Sequence, residues 1–167
     1  STAAVAVENT HNFGGGTIQP LDQLEAVGQL CRDHGLGYHL DGARIWHAHI
    51  ADGVPLATYG GLFDTMSVCL SKGLGAPVGS LVVSSAERIA AARWLRKRMG
   101  GGMRQAGVLA AAGHYALAHH LDRLADRVRE VEAVEALVEA AAERVQEHDR
   151  VEFLGARPER FEPLVGE

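Results

Sequence analysis

Residues 64–84 read DTMSVCLSKGLGAPVGSLVVS. Two short apolar runs flank a connection that holds Gly73, Gly75, Pro77 and Gly79. Bulky runs bounded by chain breakers read as strands, here 64–71 and 79–84. A parallel pair needs a crossover of a dozen or more residues, and the stretch from Lys72 to Val78 is too short to supply one. If the two strands pair, they are therefore antiparallel. The same stretch poses a chemical question, because its one lysine stands at a strand end with side-chain bulk removed around it. A turn lysine facing water is one reading. An amine that a small molecule must reach is the other.

Upstream, AAVAVEN (3–9) reads as a short buried strand and THNFGGGTIQP (10–20) as a glycine-rich loop. LDQLEAVGQLCRDHG follows, with Leu21, Leu24, Val27, Leu30 and Cys31 expected on one helical face and Gly35 as the C′ glycine. LGYHLD (36–41) is a second strand that ends in an aspartate, and GARIWHAHIADG reads as a loop and short helix. Strand and helix in alternation predict a parallel α/β sheet, with the fourth strand as its antiparallel member. Downstream, Ser85 is placed to cap a helix over 86–99. After the glycines 100–102 an alanine- and leucine-rich helical stretch runs toward 148, with a break expected within it. GARPERFEPLVGE (155–167) has no strong pattern and reads as part of a tail.

Composition narrows the function classes. Hydrophobic residues are 47% and charged residues 22% of the 167, as in a soluble globular chain. The net charge is −5 and there is no lysine- or arginine-rich arm, which argues against nucleic acid or an anionic membrane as partner. No apolar run approaches the length of a membrane span. The N-terminus has no signal-peptide pattern and no initiator methionine, and it opens directly into a strand, so further upstream sequence and a cytoplasmic location are expected. Cys31 and Cys69 make neither a CxxC pair nor a zinc spacing, and two buried free thiols are expected. Among nine histidines, His47 and His49 are two apart and His119 and His120 adjacent. Neither pair shares a helical face, so no metal site is expected.

Ligands of open α/β sheets gather beyond the carboxyl ends of the parallel strands, and Asp41 and Lys72 both fall there. A salt bridge or a helix cap would explain the pair without function. The functional alternative is pyridoxal phosphate, in which a lysine amine joins the cofactor aldehyde and an aspartate keeps the ring nitrogen protonated. A nearby anion raises the pKa of that nitrogen, which suits the role. Ser71 is either a hydrogen-bond partner there or a turn serine. Glycines 14–16 precede a helix whose free N–H groups could bind an anion, though an ordinary loop is the simpler reading.

Three longer motifs occur in order: YHLDGARIWHA, then FDTMSVCLSKGLGAPVGSLVV, then RKRMGGGMRQAGVLAAAGHYAL. Together they resemble the middle of the threonine aldolases, close relatives of the aromatic amino acid β-eliminating lyases. The resemblance covers about residues 5–120. It implies the aspartate aminotransferase-like (fold-type I) large domain, in part, over 1–120; beyond the resemblance, the residue pattern reads as a helical extension over 121–150 and a poorly ordered tail over 151–167. It also implies pyridoxal 5′-phosphate as cofactor, with Lys72 as its covalent anchor and Asp41 as partner of the ring nitrogen. Arg44 would lie by the cofactor and help bind the substrate carboxylate, as a planar guanidinium can in bidentate fashion. Lys97 and Arg104, around the GGG turn, match residues that approach the phosphate of a neighbouring subunit's cofactor, which implies a homo-oligomer. They also suit a helix C-terminus dressed with cations.

The implied reaction is cleavage of a β-hydroxy-α-amino acid, such as threonine to glycine and acetaldehyde. The alternatives are β-elimination or transamination on the same cofactor, or a catalytically incomplete fragment. The family's phosphate-cradling loop and ring-stacking histidine are expected before residue 1. Its small domain, with a further substrate-binding arginine, is not recognisable after residue 120.

Overall fold

The computed structural model describes residues 2–126. Strands β1 (Ala4–Glu8), β2 (Gly37–Gly42), β3 (Thr65–Cys69) and β4 (Ser80–Ser84) form one sheet in the order β1-β2-β3-β4. The first three are parallel and β4 runs antiparallel to β3. Helix α1 (Leu21–Asp33) connects β1 to β2, while α2 (Ile45–Asp52) and α3 (Leu56–Leu62) connect β2 to β3. Helices α4 (Ala86–Arg98) and α5 (Gly107–His119) follow β4. The mostly parallel sheet with one antiparallel strand is the architecture expected from the short 72–78 connection.

Alternation in β2 and β3 buries Tyr38, Leu40, Met66 and Val68 against the helices. Ile45, Ala48, Tyr59, Leu70 and Leu74 complete the centre of the core. Two prolines set the helix starts after loops: Pro20 before α1 and Pro55 before α3, at φ −56° and −59°. Gly35 follows α1 at φ +64°, the left-handed conformation expected of a C′ glycine.

Three details depart from the sequence reading. The buried face of α1 is Leu24, Gly28 and Cys31, whereas Leu30 is 51% exposed. At 100° per residue Leu30 lies well off the line through 24, 28 and 31, and the Tyr38 ring takes up the room left by Gly28. Cys69 is half-buried rather than buried, because β4 beside it is largely open; Cys31 is buried, and both thiols are free. The segment after β2 holds two helices, and the turn between them places Gly53 at φ +72°.

Ser85 caps α4 as its sequence suggested, its hydroxyl accepting from the Arg88 N–H. The helical stretch after the GGG begins at Gly107 and breaks at His120 before resuming over 121–126. The rest of the expected extension, and the tail over 151–167, lie outside the described residues.

Candidate active site

The carboxyl ends of β1, β2 and β3 lie side by side. Asp41 is the middle partner, registered with Glu8 on one side and Ser67 on the other. Its side chain is exposed at this edge, and Oδ1 accepts the Ala43 N–H at 3.1 Å. That bond bends the chain into the DGAR segment and leaves Oδ2 uncommitted. Arg44 then occupies the cap of α2, half-buried.

Lys72 follows β3 by three residues, in a tight turn. The Gly75 N–H bonds to the Lys72 carbonyl at 2.9 Å and the Ala76 N–H to the Leu70 carbonyl at 3.0 Å. Leu70, Leu74 and Ala76 are buried and anchor the turn, while Ser71 and Lys72 are exposed. Gly75 at φ +70° and Gly79 at φ +133° allow the chain to reverse into β4. No hydrogen bond or ion pair holds the Lys72 amine, and the ion pairs among the described residues are His11–Glu8 and Arg88–Asp64. Asp41 and Lys72 are therefore not a salt bridge. A local turn bond on Oδ1 is all that remains of the purely structural reading of Asp41.

Lys97 lies in the last turn of α4 and Arg104 in the connection from α4 to α5. The glycines there make room for folded-back side chains. A Cβ on Gly102 would stand 2.8 Å from Lys97 Cδ and 3.0 Å from its Nζ. Both cations are exposed, and neither is bonded to Asp41, Arg44 or Lys72 among the described residues. Glycines 14–16 form an ordinary loop: the Gly15 and Gly16 N–H groups bond to the carbonyls of Asn12 and His11, so they are not free for an anion.

The structure adds residues that motif reading passed over. Asn9, fully buried at the end of β1, donates its N–H to the Asp41 carbonyl at 3.0 Å and accepts the Gln19 N–H on Oδ1 at 3.1 Å. Its sequence signal was a polar pair, Asn9 and Thr10, directly after an apolar strand. The Trp46 indole N–H donates to the Cys69 carbonyl at 2.8 Å, fastening α2 to the end of β3. His47 lies against Gly73. Burial lowers its imidazole pKa; the Arg44 carbonyl works against that shift and the Arg44 cation adds to it. The two helix-borne histidines of α2 diverge, His49 bonding instead to the Val54 carbonyl. Among the described residues no three potential ligands gather to hold a metal.

Over residues 1–154 the chain matches the model of a family described as beta-eliminating lyases. The chain belongs to that family. A member-like relative, the probable low-specificity L-threonine aldolase 2 of Arabidopsis thaliana, is 49% identical over 125 residues, covering 75% of this chain and 35% of the relative. A probable low-specificity L-threonine aldolase of Schizosaccharomyces pombe is 45% identical over 74% of the chain and 32% of its own length. The fold is that of the solved fold-type I threonine aldolases. A putative L-allo-threonine aldolase from Listeria monocytogenes superposes with a TM-score of 0.71 at 24% identity, over 74% of this chain and 34% of that one. The lyase-family chain thus spans about a third of the length of these relatives.

Proposed function

We propose that this lyase-family chain supplies the lysine-bearing half of a pyridoxal phosphate site that cleaves a β-hydroxy-α-amino acid, threonine to glycine and acetaldehyde. One observation carries the reading. Asp41 lies in the last pairs of β2, Lys72 follows the adjacent parallel strand β3 by three residues, and the two are not paired with each other. An amine and a carboxylate kept apart at a ligand edge are groups waiting for a third partner. Relatives named as low-specificity L-threonine aldolases support the substrate class.

The donor set fits the cofactor. The Lys72 amine, free of hydrogen bonds, would hold it covalently. Oδ2 of Asp41, the oxygen left open by the Ala43 bond, would accept a hydrogen bond from the protonated ring nitrogen and keep the proton there. Bound there, the cofactor supplies a sink for negative charge at the substrate α-carbon. Arg44 would orient the substrate carboxylate through a two-pronged contact. Lys97 and Arg104 would meet the phosphate of a neighbouring subunit's cofactor in a homo-oligomer. No helix among the described residues is long and apolar enough to cross a membrane, and we place the activity in the cytoplasm. The family description keeps β-elimination as a second reading, which a substrate panel of threonine, serine and a β-chloro amino acid separates.

The chain has two lysines, Lys72 and Lys97. Borohydride reduction in the presence of pyridoxal 5′-phosphate should fix the label on Lys72, as read by peptide mapping. Recovery on Lys97 instead would defeat the assignment.

A further inference from the structure

One helix grips the chain on both sides of Lys72. Trp46 of α2 holds the Cys69 carbonyl, three residues before the lysine, at 2.8 Å. Its neighbour His47 presses on Gly73, the residue immediately after. A Cβ at Gly73 would stand 2.4 Å from His47 Cε1, 2.6 Å from Nε2 and 2.9 Å from Leu124 Cδ1. The imidazole thus fills volume that any other residue at 73 would need. His47 Nδ1 is buried without a hydrogen bond of good geometry, so the close packing on Gly73 is the firmest contact that the ring makes. Between the two grips, the N–H groups of Ser71, Lys72 and Gly73 donate no hydrogen bond. The Lys72 carbonyl accepts the Gly75 N–H at 2.9 Å, which shapes the turn on one side, and His47 supplies the side-chain contact at Gly73.

His47 also stands one turn beyond Arg44 on α2, and its N–H bonds to the Arg44 carbonyl at 3.0 Å. The two residues occupy neighbouring positions on the helix surface. We infer that His47 is a positioning residue for Lys72: its ring, seated against the bare α-carbon of Gly73, sets the direction of the lysine and keeps it in register with Arg44. This rests on the proposed role of Lys72. It also assigns the first glycine after the lysine a purpose distinct from clearance for a cofactor, since the space at Gly73 is taken by protein.

The test compares covalent labelling of Lys72 and Lys97 by pyridoxal 5′-phosphate and borohydride in the wild type, His47→Ala, His47→Phe, Gly73→Ala and the His47→Ala/Gly73→Ala pair. Lys97 serves as the internal standard. The Lys72:Lys97 ratio should fall by about tenfold or more in His47→Ala, because misplacing a reacting group by ~1 Å can cost that much. His47→Phe keeps a flat ring and should largely retain the ratio. Gly73→Ala should lose it and lower the thermal midpoint, and the midpoint loss should be smaller when His47 is already Ala. A wild-type preference for Lys72 that His47→Ala and Gly73→Ala leave unchanged overturns the inference alone. No preference in the wild type overturns the lysine assignment, and the inference with it. Should His47→Ala fail to fold, His47→Phe and Gly73→Ala carry the comparison: a lost ratio in His47→Phe shows that ring packing does not position Lys72.

Discussion

Asp41 shows how little of a residue's fold role can overlap with its proposed chemistry. Its one side-chain bond, from Ala43 N–H to Oδ1, is a bond that an asparagine carbonyl can also accept. Asp41→Asn should therefore leave the unfolding midpoint nearly unchanged. Cofactor retention and threonine cleavage should each fall by at least about tenfold, roughly 1.4 kcal/mol, because the ring nitrogen loses its charge partner. Turnover within about twofold of wild type would end the proposed role. Three other residues make the stability of the fold pH-dependent. Burial, reinforced by nearby Cys31, raises the Tyr38 hydroxyl from 10.0 to about 12, and burial with the Asp52 hydrogen bond raises Tyr59 as well. Their folded-state values exceed the unfolded ones, so their contribution is complete below pH 10 and is lost as pH climbs toward 12. His47 is shifted the opposite way, so its contribution is present above the unfolded value of 6.5 and declines as pH falls below it. Urea midpoints measured from pH 5 to 11 should fall at both ends, with Tyr38→Phe flattening the alkaline side. An alkaline arm as steep in Tyr38→Phe as in wild type would show that Tyr38 does not cause it.

At the scale of elements, the strands and their directions were legible because they follow from local rules. Short apolar runs bounded by chain breakers mark the strands, and a connection too short for a crossover makes β4 antiparallel. The cap of α4 was equally local. No residue of α4 is buried, so the helix has little packing to hold it and depends more on its ends. Ser85→Ala should cost about 1 kcal/mol, visible as a lower midpoint and as faster amide exchange confined to the first turn of α4. Unchanged exchange there would mean that the Arg88–Asp64 ion pair, at 2.8 Å, anchors the helix start instead. The Asp41 and Lys72 pair could be read as a candidate because strand ends are predictable positions. The grip on Lys72 could not. Trp46 meets Cys69, and His47 meets Gly73, across 23 and 26 residues of sequence, through packing that no spacing rule encodes. Leu30 was misread for a related reason, since a smooth 3.6-residue stripe ignores the gap at Gly28 that lets Tyr38 approach α1.

Over the whole described molecule, apolar surface is unevenly covered. β4 is an edge strand of the sheet, and its Leu81, Val82 and Val83 are all about half exposed. A groove of about 310 Å³ beside it is lined by Leu81, Val82, Ile89 and Ala92, with Arg93 and Arg96. Trp94 is 60% exposed, and Met99, Met103, Val108 and Tyr115 are more than half exposed on the α4–α5 side. Monomers seldom leave so much apolar surface open in one region, and an unpaired edge strand with apolar residues on both faces invites further pairing. The 167-residue chain alone should therefore self-associate as its concentration rises, and bind a hydrophobic dye in proportion. A charge directed into the edge should oppose that: Val82→Lys ought to shift sedimentation toward monomer and weaken dye binding without lowering the unfolding midpoint, since Val82 contributes little to the core. Asp41 in β2 and Lys72 in the turn after β3 lie outside β4 and should be untouched by that change. A chain that stays monomeric at tens of micromolar, or a Val82→Lys variant that associates as strongly as wild type, would show that this surface does not drive association.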